Sequence, residues 1–530
     1  MRVVSTEEMR DLEKVASDDL NLSSLMLMEN AGIGAAEIIS KILSQRYPGV
    51  DPEVLVFCGR GKNGGDGLVV ARQLLARGGR VRVFLMHKKE DHTGETAHNL
   101  SILERQKAKI VQVPTAAVVE EYFQSAASRP FVVVDALLGT GISRPIEGAY
   151  FDTVQSINRH ADTLISLDVP SGTDANNGSL WGSSAQATHT ITFGYPKIGL
   201  YQMPAASKRG RLYCVPLSFP STWGDQGDKR LLNESNTATL LQSRDRFGHK
   251  NSFGHTLFIG GSPGRLGAVV MASQAALKMG SGLVTVASWP ESYPSLENKL
   301  SPEVMNFKIS KESGEFYVPK PGLNAFSSIV AGPGLGVSEE AAQLLQQLIK
   351  LYTGALVLDA DALNILAEFK LQNLLLKRVQ PTVLTPHPGE MARLLGVDKN
   401  VVVEQPIHCV RQAVEATTAT VVLKGATSFV HSAEGITWIN HYPNDGMATA
   451  GSGDVLAGMI GGLMGQGMSA VDSAKCGVFL HSLSGKAAAE RFGHRSMTAG
   501  SIIENISTAF ATLAEFQSPC SLSEFYVELV

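Results

Sequence analysis

The stretch Ala448-Thr-Ala-Gly-Ser-Gly-Asp-Val-Leu-Ala-Gly458 decides how the rest of the chain is read. Its small residues let backbone amides come close to an anion, and a carboxylate, Asp454, follows at once. Behind it Val455, Leu456, Met459, Ile460 and Leu463 recur at helical spacing, so a helix begins here. A helix start presents unpaired N–H groups and a positive dipole end, which suit a phosphate. A carboxylate at that mouth is placed to take a proton from a hydroxyl attacking the phosphoryl group. The stretch therefore points to phosphoryl transfer to an alcohol. Glycine-rich turns also serve as plain helix starts, so its meaning rests on what surrounds it.

Working upstream, strand-like runs end in loops rich in polar groups. These are Ala331-Gly-Pro-Gly-Leu-Gly336, Leu358-Asp-Ala-Asp-Ala-Leu-Asn364, Thr385-Pro-His-Pro-Gly-Glu-Met391 and Val422-Leu-Lys-Gly-Ala426. Strands at His255–Gly260 and Leu283–Ala287 precede them, and the helices Gly267–Gly280 and Val471–Arg491 flank the set. Alternation of strands and helices implies a parallel sheet, whose ligands gather at strand carboxyl ends. Taken singly the residues have plain readings: Asp359 and Asp361 as helix caps, His387 as a loop histidine, Lys424 as a solvated strand end.

Together with Gly254-His-Thr-Leu-Phe-Ile-Gly-Gly-Ser262 and Gly267-Ala268, these motifs resemble the ribokinase-like fold. Within it they are similar to the ADP- or ATP-dependent NAD(P)H-hydrate dehydratase branch, over about residues 235–515. The resemblance implies that Lys424, Gly425, Ala426, Thr427 and Ser428, with Gly451, Ser452 and Gly453, hold ADP, and that Mg2+ bridges the nucleotide phosphates. It implies that Ala268, Gly334, His387 and Asp454 contact the hydrated cofactor, with Asp454 catalytic. Two positions depart from the pattern: Ser452 stands where many sugar kinases have alanine, and Asp445 where the dehydratases often carry proline.

The first part of the chain alternates in the same way, with strands at Glu53–Gly59, Arg80–Met86, Phe131–Asp135 and Thr163–Asp168 and a helix over Asp66–Gly78. Ser5 and Glu8 form a capping box ahead of Met9, Leu12 and Val15. Gly59-Arg-Gly-Lys-Asn-Gly-Gly-Asp-Gly67 is a strand-to-helix glycine loop that is not G-x-G-x-x-G. Val134-Asp-Ala-Leu-Leu-Gly-Thr-Gly-Ile142, Leu167-Asp-Val-Pro-Ser-Gly172 and Thr192-Phe-Gly-Tyr-Pro-Lys-Ile-Gly199 follow it.

These elements resemble the Rossmann-like NAD(P)H-hydrate epimerase domain over about residues 1–215. The resemblance places K+ among Asn63, Asp135 and Ser171, and oxygen ligands of low total charge suit that ion. It assigns substrate contacts to Lys62, Asn63, Gly64, Gly65 and Asp66, to Gly139, Thr140, Gly141, Ile142, Ser143, Arg144 and Pro145, and to Asp168, the acid–base group. Lys62 stands where the family often has asparagine. The plainer reading is a generic dinucleotide-binding domain whose aspartates cap helices or grip ribose.

A chain of 530 residues implies more than one domain. We expect an α/β protein with a Rossmann-like domain over 1–220, a turn-rich linker over 221–234, a ribokinase-like domain over 235–515 and a peripheral extension over 516–530. The 46 Lys and Arg against 50 Asp and Glu give a net charge of −4 with no basic block, which speaks against nucleic acid or an anionic membrane as partner. Five scattered cysteines with no C-x-x-C pair suit a reducing compartment, and no run of eighteen apolar residues occurs, so a cytoplasmic location is expected. A homo-oligomer is also expected, with apolar helices such as Val471–Leu483 as candidate subunit contacts.

The resemblance thus implies metabolite repair: interconversion of R- and S-NADHX and NADPHX, and ADP-dependent dehydration of the S form. Two other readings stay open at this level. One is a small-alcohol kinase fused to a dinucleotide sensor; the other is a nucleotide-binding regulatory module without turnover.

Overall fold

Runs such as Glu53–Cys58, buried at all six positions, carry apolar side chains to both faces, as strands covered by helices on both sides must. In the computed structural model, which describes residues 1–126, 129–241, 243–312, 315–317, 322–516 and 527–529, these runs form two sheets in two compact units. One unit comprises Met1–Gly227 with the C-terminal strand; the other begins at Asp228.

In the first unit the strands are β1 (Glu53–Cys58), β2 (Val81–Leu85), β3 (Lys109–Gln112), β4 (Phe131–Ala136), β5 (Leu164–Leu167), β6 (His189–Phe193) and β7 (Arg211–Val215). They lie in the order β7-β6-β5-β4-β1-β2-β3, all parallel, with Val527–Leu529 added antiparallel to β7. The order reverses between β1 and β4, the point at which Rossmann-like sheets open a crevice for a ligand.

In the second unit β8 (Lys229–Leu231), β9 (His255–Ile259), β10 (Leu283–Ser288) and β11 (Val304–Lys308) precede a short antiparallel pair, β12 (Ser310–Glu312) and β13 (Glu315–Tyr317). Then come β14 (Ser328–Ala331), β15 (Ala355–Leu358), β16 (Thr382–Leu384), β17 (Thr420–Leu423), β18 (Thr427–His431) and β19 (Thr437–His441). The sheet order is β11-β10-β9-β14-β15-β16-β17-β18-β19-β8. It is parallel from β11 to β17 and antiparallel through β18 and β19.

Three expectations are corrected here. The stretch expected as a linker, 221–234, contains a short turn at Ser221–Asp225 and then β8, which pairs in parallel with β19 and makes that stretch an edge of the second sheet. The extension past 515 is not merely peripheral: Val527–Leu529 completes the first sheet, while residues 517–526 lie outside the described residues. The helix Ala470–Phe492 buries Cys476, Phe479, Leu480 and Leu483 in its own unit's core, so Val471–Leu483 has no apolar face to offer a second subunit.

The glycine-led helix Ser452–Gly465 is buried along most of its length because it packs directly on the helix Leu266–Lys278. A Cβ at Gly458 would stand 2.1 Å from the Ala272 carbonyl oxygen, which is backbone and has no rotamer to yield. Alanine gains about 1 kcal/mol of helix propensity over glycine, while forced overpacking costs typically about 1–3 kcal/mol or more. Gly458→Ala is therefore expected to lower the denaturation midpoint of the second unit, checked by chemical denaturation.

Candidate active sites

The first unit holds a cavity of about 1180 Å3 at the β1/β4 crevice. Lys62, Asn63, Asp66, Gly139, Thr140, Gly141, Ile142, Ser143, Arg144, Pro145 and Asp168 line it. The N-terminal helix Thr6–Leu20 supplies a further wall through Met9, Arg10, Glu13 and Lys14. The expected glycine loop is tighter than the sequence suggests, because the helix already starts at Lys62. Gly64 and Gly65 therefore do not line the cavity. A Cβ on Gly64 would lie 1.8 Å from the Gly59 carbonyl oxygen and one on Gly65 2.5 Å from Met28 Cε, so both let the helix start pack against its surroundings.

Asp135 is fully buried on β4. Its Oδ1 accepts from the Ser171 hydroxyl (2.6 Å) and Leu137 N (3.2 Å), and its Oδ2 from the Ser166 hydroxyl (2.8 Å) and Ser171 N (2.9 Å). Burial pushes its carboxyl up despite these bonds. Asn63 donates to the Leu138 carbonyl (3.1 Å), which also accepts from Ser171 (3.1 Å), and Asn63 Oδ1 is buried with no hydrogen-bond partner among the described residues. Asn63 and Ser171 thus meet at the Leu138 carbonyl, the Asn63 amide oxygen is left open, and the Asp135 carboxyl lies behind Ser171.

Asp168 follows β5 with φ of 64°, a left-handed conformation that costs a non-glycine residue about 1–3 kcal/mol. Lys197, absent from the sequence-derived candidates, pairs with its Oδ1 at 2.5 Å, and the Thr192 hydroxyl donates to the same oxygen at 3.2 Å. Nearby Asp66 is held well above the usual carboxylate range, first by burial and then by the charges of Asp168 and Glu13.

In the second unit the parallel strand ends converge as expected. Gly451, with φ of 93°, leads Ser452–Gly465, and no side chain caps that helix start. A Cβ at Gly453 would stand 3.2 Å from Lys424 Nζ, so the ammonium lies at the mouth of the helix. Lys424 in turn pairs with buried Asp359 (2.7 Å) and approaches Glu390 (4.0 Å), and the Thr385 hydroxyl donates to Asp359 Oδ1 (2.7 Å). Asp361 accepts from Gly336 N (2.8 Å) and pairs with Arg265 (3.2 Å), whose carbonyl lies under Gly334. Ala268 is half-buried near the start of the Leu266–Lys278 helix.

Asp454 sits half-buried among these charges and is pushed up to about 7, first by burial, then by Asp359, with Lys424 pulling the other way. Glu390 is pushed up to about 7 by burial and Asp359, again against Lys424. Burial acts to lower Lys424, but Asp359, Glu390 and Asp454 outweigh it and the lysine is raised.

The remaining expected contacts differ in degree. His387 caps the helix Pro388–Leu395, accepting at Nδ1 from Gly389 N (2.9 Å) and Glu390 N (3.3 Å), so its half-exposed ring is already oriented. Gly425 and Ala426 form an exposed turn between β17 and β18, while Ser428 turns its hydroxyl back to Gly425 (3.2 Å) and Thr427 bonds His441 (2.6 Å). Asp445 pairs with His494 at 2.6 Å on the surface. Ser452 faces His481 (3.4 Å), a histidine that burial holds near 4 and therefore neutral. Asp359, Asp361 and Glu390 join the cluster, although taken singly in the sequence the two aspartates have the plain look of helix caps.

Residues 24–199 match the family described as YjeF-related protein N-terminus, and residues 256–508 the NAD(P)H-hydrate dehydratase family. Over 527 residues the chain is 36% identical to the bifunctional NAD(P)H-hydrate repair enzyme Nnr of Moorella thermoacetica, covering 97% of this chain and 98% of that protein. The chain belongs to the bifunctional NAD(P)H-hydrate repair enzyme family. The Escherichia coli member is 32% identical over 97% of this chain and 93% of its own length. Among solved structures, the ADP/ATP-dependent NAD(P)H-hydrate dehydratase of Bacillus subtilis, co-crystallised with ATP/Mg2+, matches 54% of this chain and 98% of its own, at 22% identity and a TM-score of 0.46. Both modules of the repair family are present, an N-terminal Rossmann-like one and a C-terminal ribokinase-like one, so the protein is a two-activity enzyme of NAD(P)H-hydrate repair. Among the described residues no helix is long and apolar enough to cross a membrane, and no three His, Cys, Asp or Glu side chains are grouped to hold a metal by themselves.

Proposed function

We propose that the second unit dehydrates the S-hydrate at the expense of ADP, giving AMP and phosphate, with Asp454 as general base. One observation carries the reading: the Asp454 carboxylate stands at a glycine-led helix start without a side-chain cap, beside a half-buried, carboxylate-held lysine. Hydration of reduced nicotinamide leaves a hydroxyl at C6, and hydroxide is a poor leaving group. Asp454 takes the hydroxyl proton as its oxygen attacks the terminal phosphoryl of ADP, and AMP departs. The N–H groups of Ser452, Gly453 and Asp454 meet charge on the moving phosphoryl. The C6–O bond then breaks with phosphate, pushed by the ring nitrogen lone pair, and loss of a C5 proton restores the double bond.

Lys424, with the turn at Gly425 and Ala426, is positioned for the nucleotide phosphates, and Ala268, Gly334 and His387 for the hydrated ring. Asp359, Asp361 and Glu390 are the carboxylates that would help hold Mg2+, which would neutralise phosphate charge when bound.

In the first unit, the cavity and Asp168 support interconversion of the hydrates. Protonation of the C6 hydroxyl lets water leave, the nitrogen lone pair forms the iminium, and water returns on the opposite face with loss of a proton. Asp168 handles the proton at that oxygen. Asn63, with its open Oδ1, Ser171 and Asp135 are the residues that would hold K+, which would supply a fixed positive charge at the cavity wall when bound. Asn63→Ala is accordingly expected to abolish any advantage of KCl over tetramethylammonium chloride in the epimerisation rate, measured from R to S with the second activity as the reporter.

Four buried free cysteines among the described residues support a reducing, cytoplasmic setting. Incubating the protein with mixed hydrates, ADP and Mg2+ while following reduced-nicotinamide absorbance tests the whole reading. Recovery of absorbance with AMP and phosphate supports it; a stable phosphorylated product means a small-alcohol kinase instead.

A further inference from the structure

We infer that Lys197 is a positioning residue of the epimerisation, clamping one oxygen of Asp168 so that the other is presented to the ligand in the cavity. The inference rests on Asp168 being the acid–base group. Lys197 lines the cavity yet its side chain is only 2% exposed. Its ammonium is fully used: it donates to Asp168 Oδ1 (2.5 Å), the Phe193 carbonyl (2.9 Å) and the Thr192 hydroxyl (3.3 Å).

Asp168 Oδ1 takes the lysine and Thr192 (3.2 Å), while Oδ2 carries no hydrogen bond among the described residues. One oxygen is thus fixed and the other is left for a guest. The backbone around the lysine is held as well. Val4 N donates to the Pro196 carbonyl (3.0 Å), and Ile198 N donates to the Val4 carbonyl (2.9 Å), which stitches the chain's start across residue 197.

Stability does not explain this arrangement. Burying a lysine costs more than an ion pair commonly returns, and the left-handed backbone of Asp168 adds a second cost at the same place. Two unfavourable features meeting at the wall of a large cavity point to placement for chemistry. The lysine acts through the aspartate, so its effect should depend on the aspartate being present.

A double-mutant cycle tests this with Lys197→Met, Lys197→Arg and Asp168→Asn, reading kcat and KM for R-to-S interconversion. Lys197→Met is expected to lower kcat by about 10²-fold, the lower end for a positioned acid–base group, with KM little changed. Lys197→Arg should recover most of that loss, and in the Asp168→Asn background Lys197→Met should cost almost nothing further. Near-UV circular dichroism establishes that each variant is folded; should the methionine variant be unfolded, Lys197→Gln, which can keep the bond to Phe193, takes its place in the cycle. A folded variant that keeps parental kcat, or one whose cost persists in the Asp168→Asn background, overturns the inference. If Asp168→Asn itself interconverts the hydrates at the parental rate, the assignment of Asp168 fails instead, and the two failures are distinguishable.

Discussion

Asp454→Asn lowers NAD(P)H-hydrate dehydration by about 10²–10⁴-fold, the range a general base supplies, and leaves epimerisation at the parental rate. The substitution keeps the size of the side chain and removes only its ability to take a proton. Because the two candidate carboxylates belong to separate compact units, the first activity has no reason to follow. The wild-type pH profile gives a second check on the same group. Burial, with Asp359 next, pushes Asp454 up to about 7, and a base acts only when deprotonated. Dehydration, as kcat/KM of the free enzyme, should therefore fall as pH drops below about 7, and the residual activity of Asp454→Asn should lose that limb. An asparagine variant that still repairs pure S-hydrate near the parental rate removes Asp454 from the chemistry.

The glycine-led helix and the parallel strands before it were legible because apolar runs ending in glycine, proline or aspartate turns leave a plain signature. Ser328–Ala331 and Thr420–Leu423 have the bounds that their apolar runs suggest. The helix Ser24–Arg46 leaves no such signature. It is apolar on most sides and takes Gly32 and Gly34 inward, where a Cβ would meet Val69 and Val215 side-chain carbons at 2.3 Å. Periodicity has no contrast to detect in such a helix. Lys109–Gln112 is short and half-exposed, and β18 and β19 owe their place to antiparallel pairing with a neighbour, which no local pattern records.

The sites divide along the same line. Residues carried on motifs, such as Gly139–Pro145 and Asp168, reach the cavity wall. Lys197 and the trio Asp359, Asp361 and Glu390 gain their meaning from partners tens of residues away, as in the Lys424–Asp359 pair at 2.7 Å. In sequence, a lysine between a proline and an isoleucine looks solvated, and an aspartate before a helix looks like a cap. The backbone offers a sign that sequence lacks: Asp168 and Ala360, the residue between Asp359 and Asp361, both carry positive φ just past a strand end, one at each candidate site. Strain of that kind persists only where the surroundings over-determine it.

In a coupled assay on mixed hydrates, the Asp168→Asn variant should restore reduced nicotinamide in one fast phase and then stall with the R form unspent. The fast phase reports the second unit, which meets the S-hydrate without help from the first. The slow phase reports supply of S from R, and asparagine cannot take up or return the hydroxyl proton, so that supply should fall by about 10²–10⁴-fold. Uncatalysed interconversion sets the floor, measured with the second unit's activity and no functional epimerase. Lys197 and Thr192 can still bond an amide oxygen at the position of Oδ1, so the cavity wall is preserved and binding of the hydrates should change little. The loss should therefore appear in kcat. A single-phase time course running to completion at the parental rate would show that the proton passes through another group; Asp66, whose carboxyl burial holds well above the usual carboxylate range, is then the carboxyl to replace next.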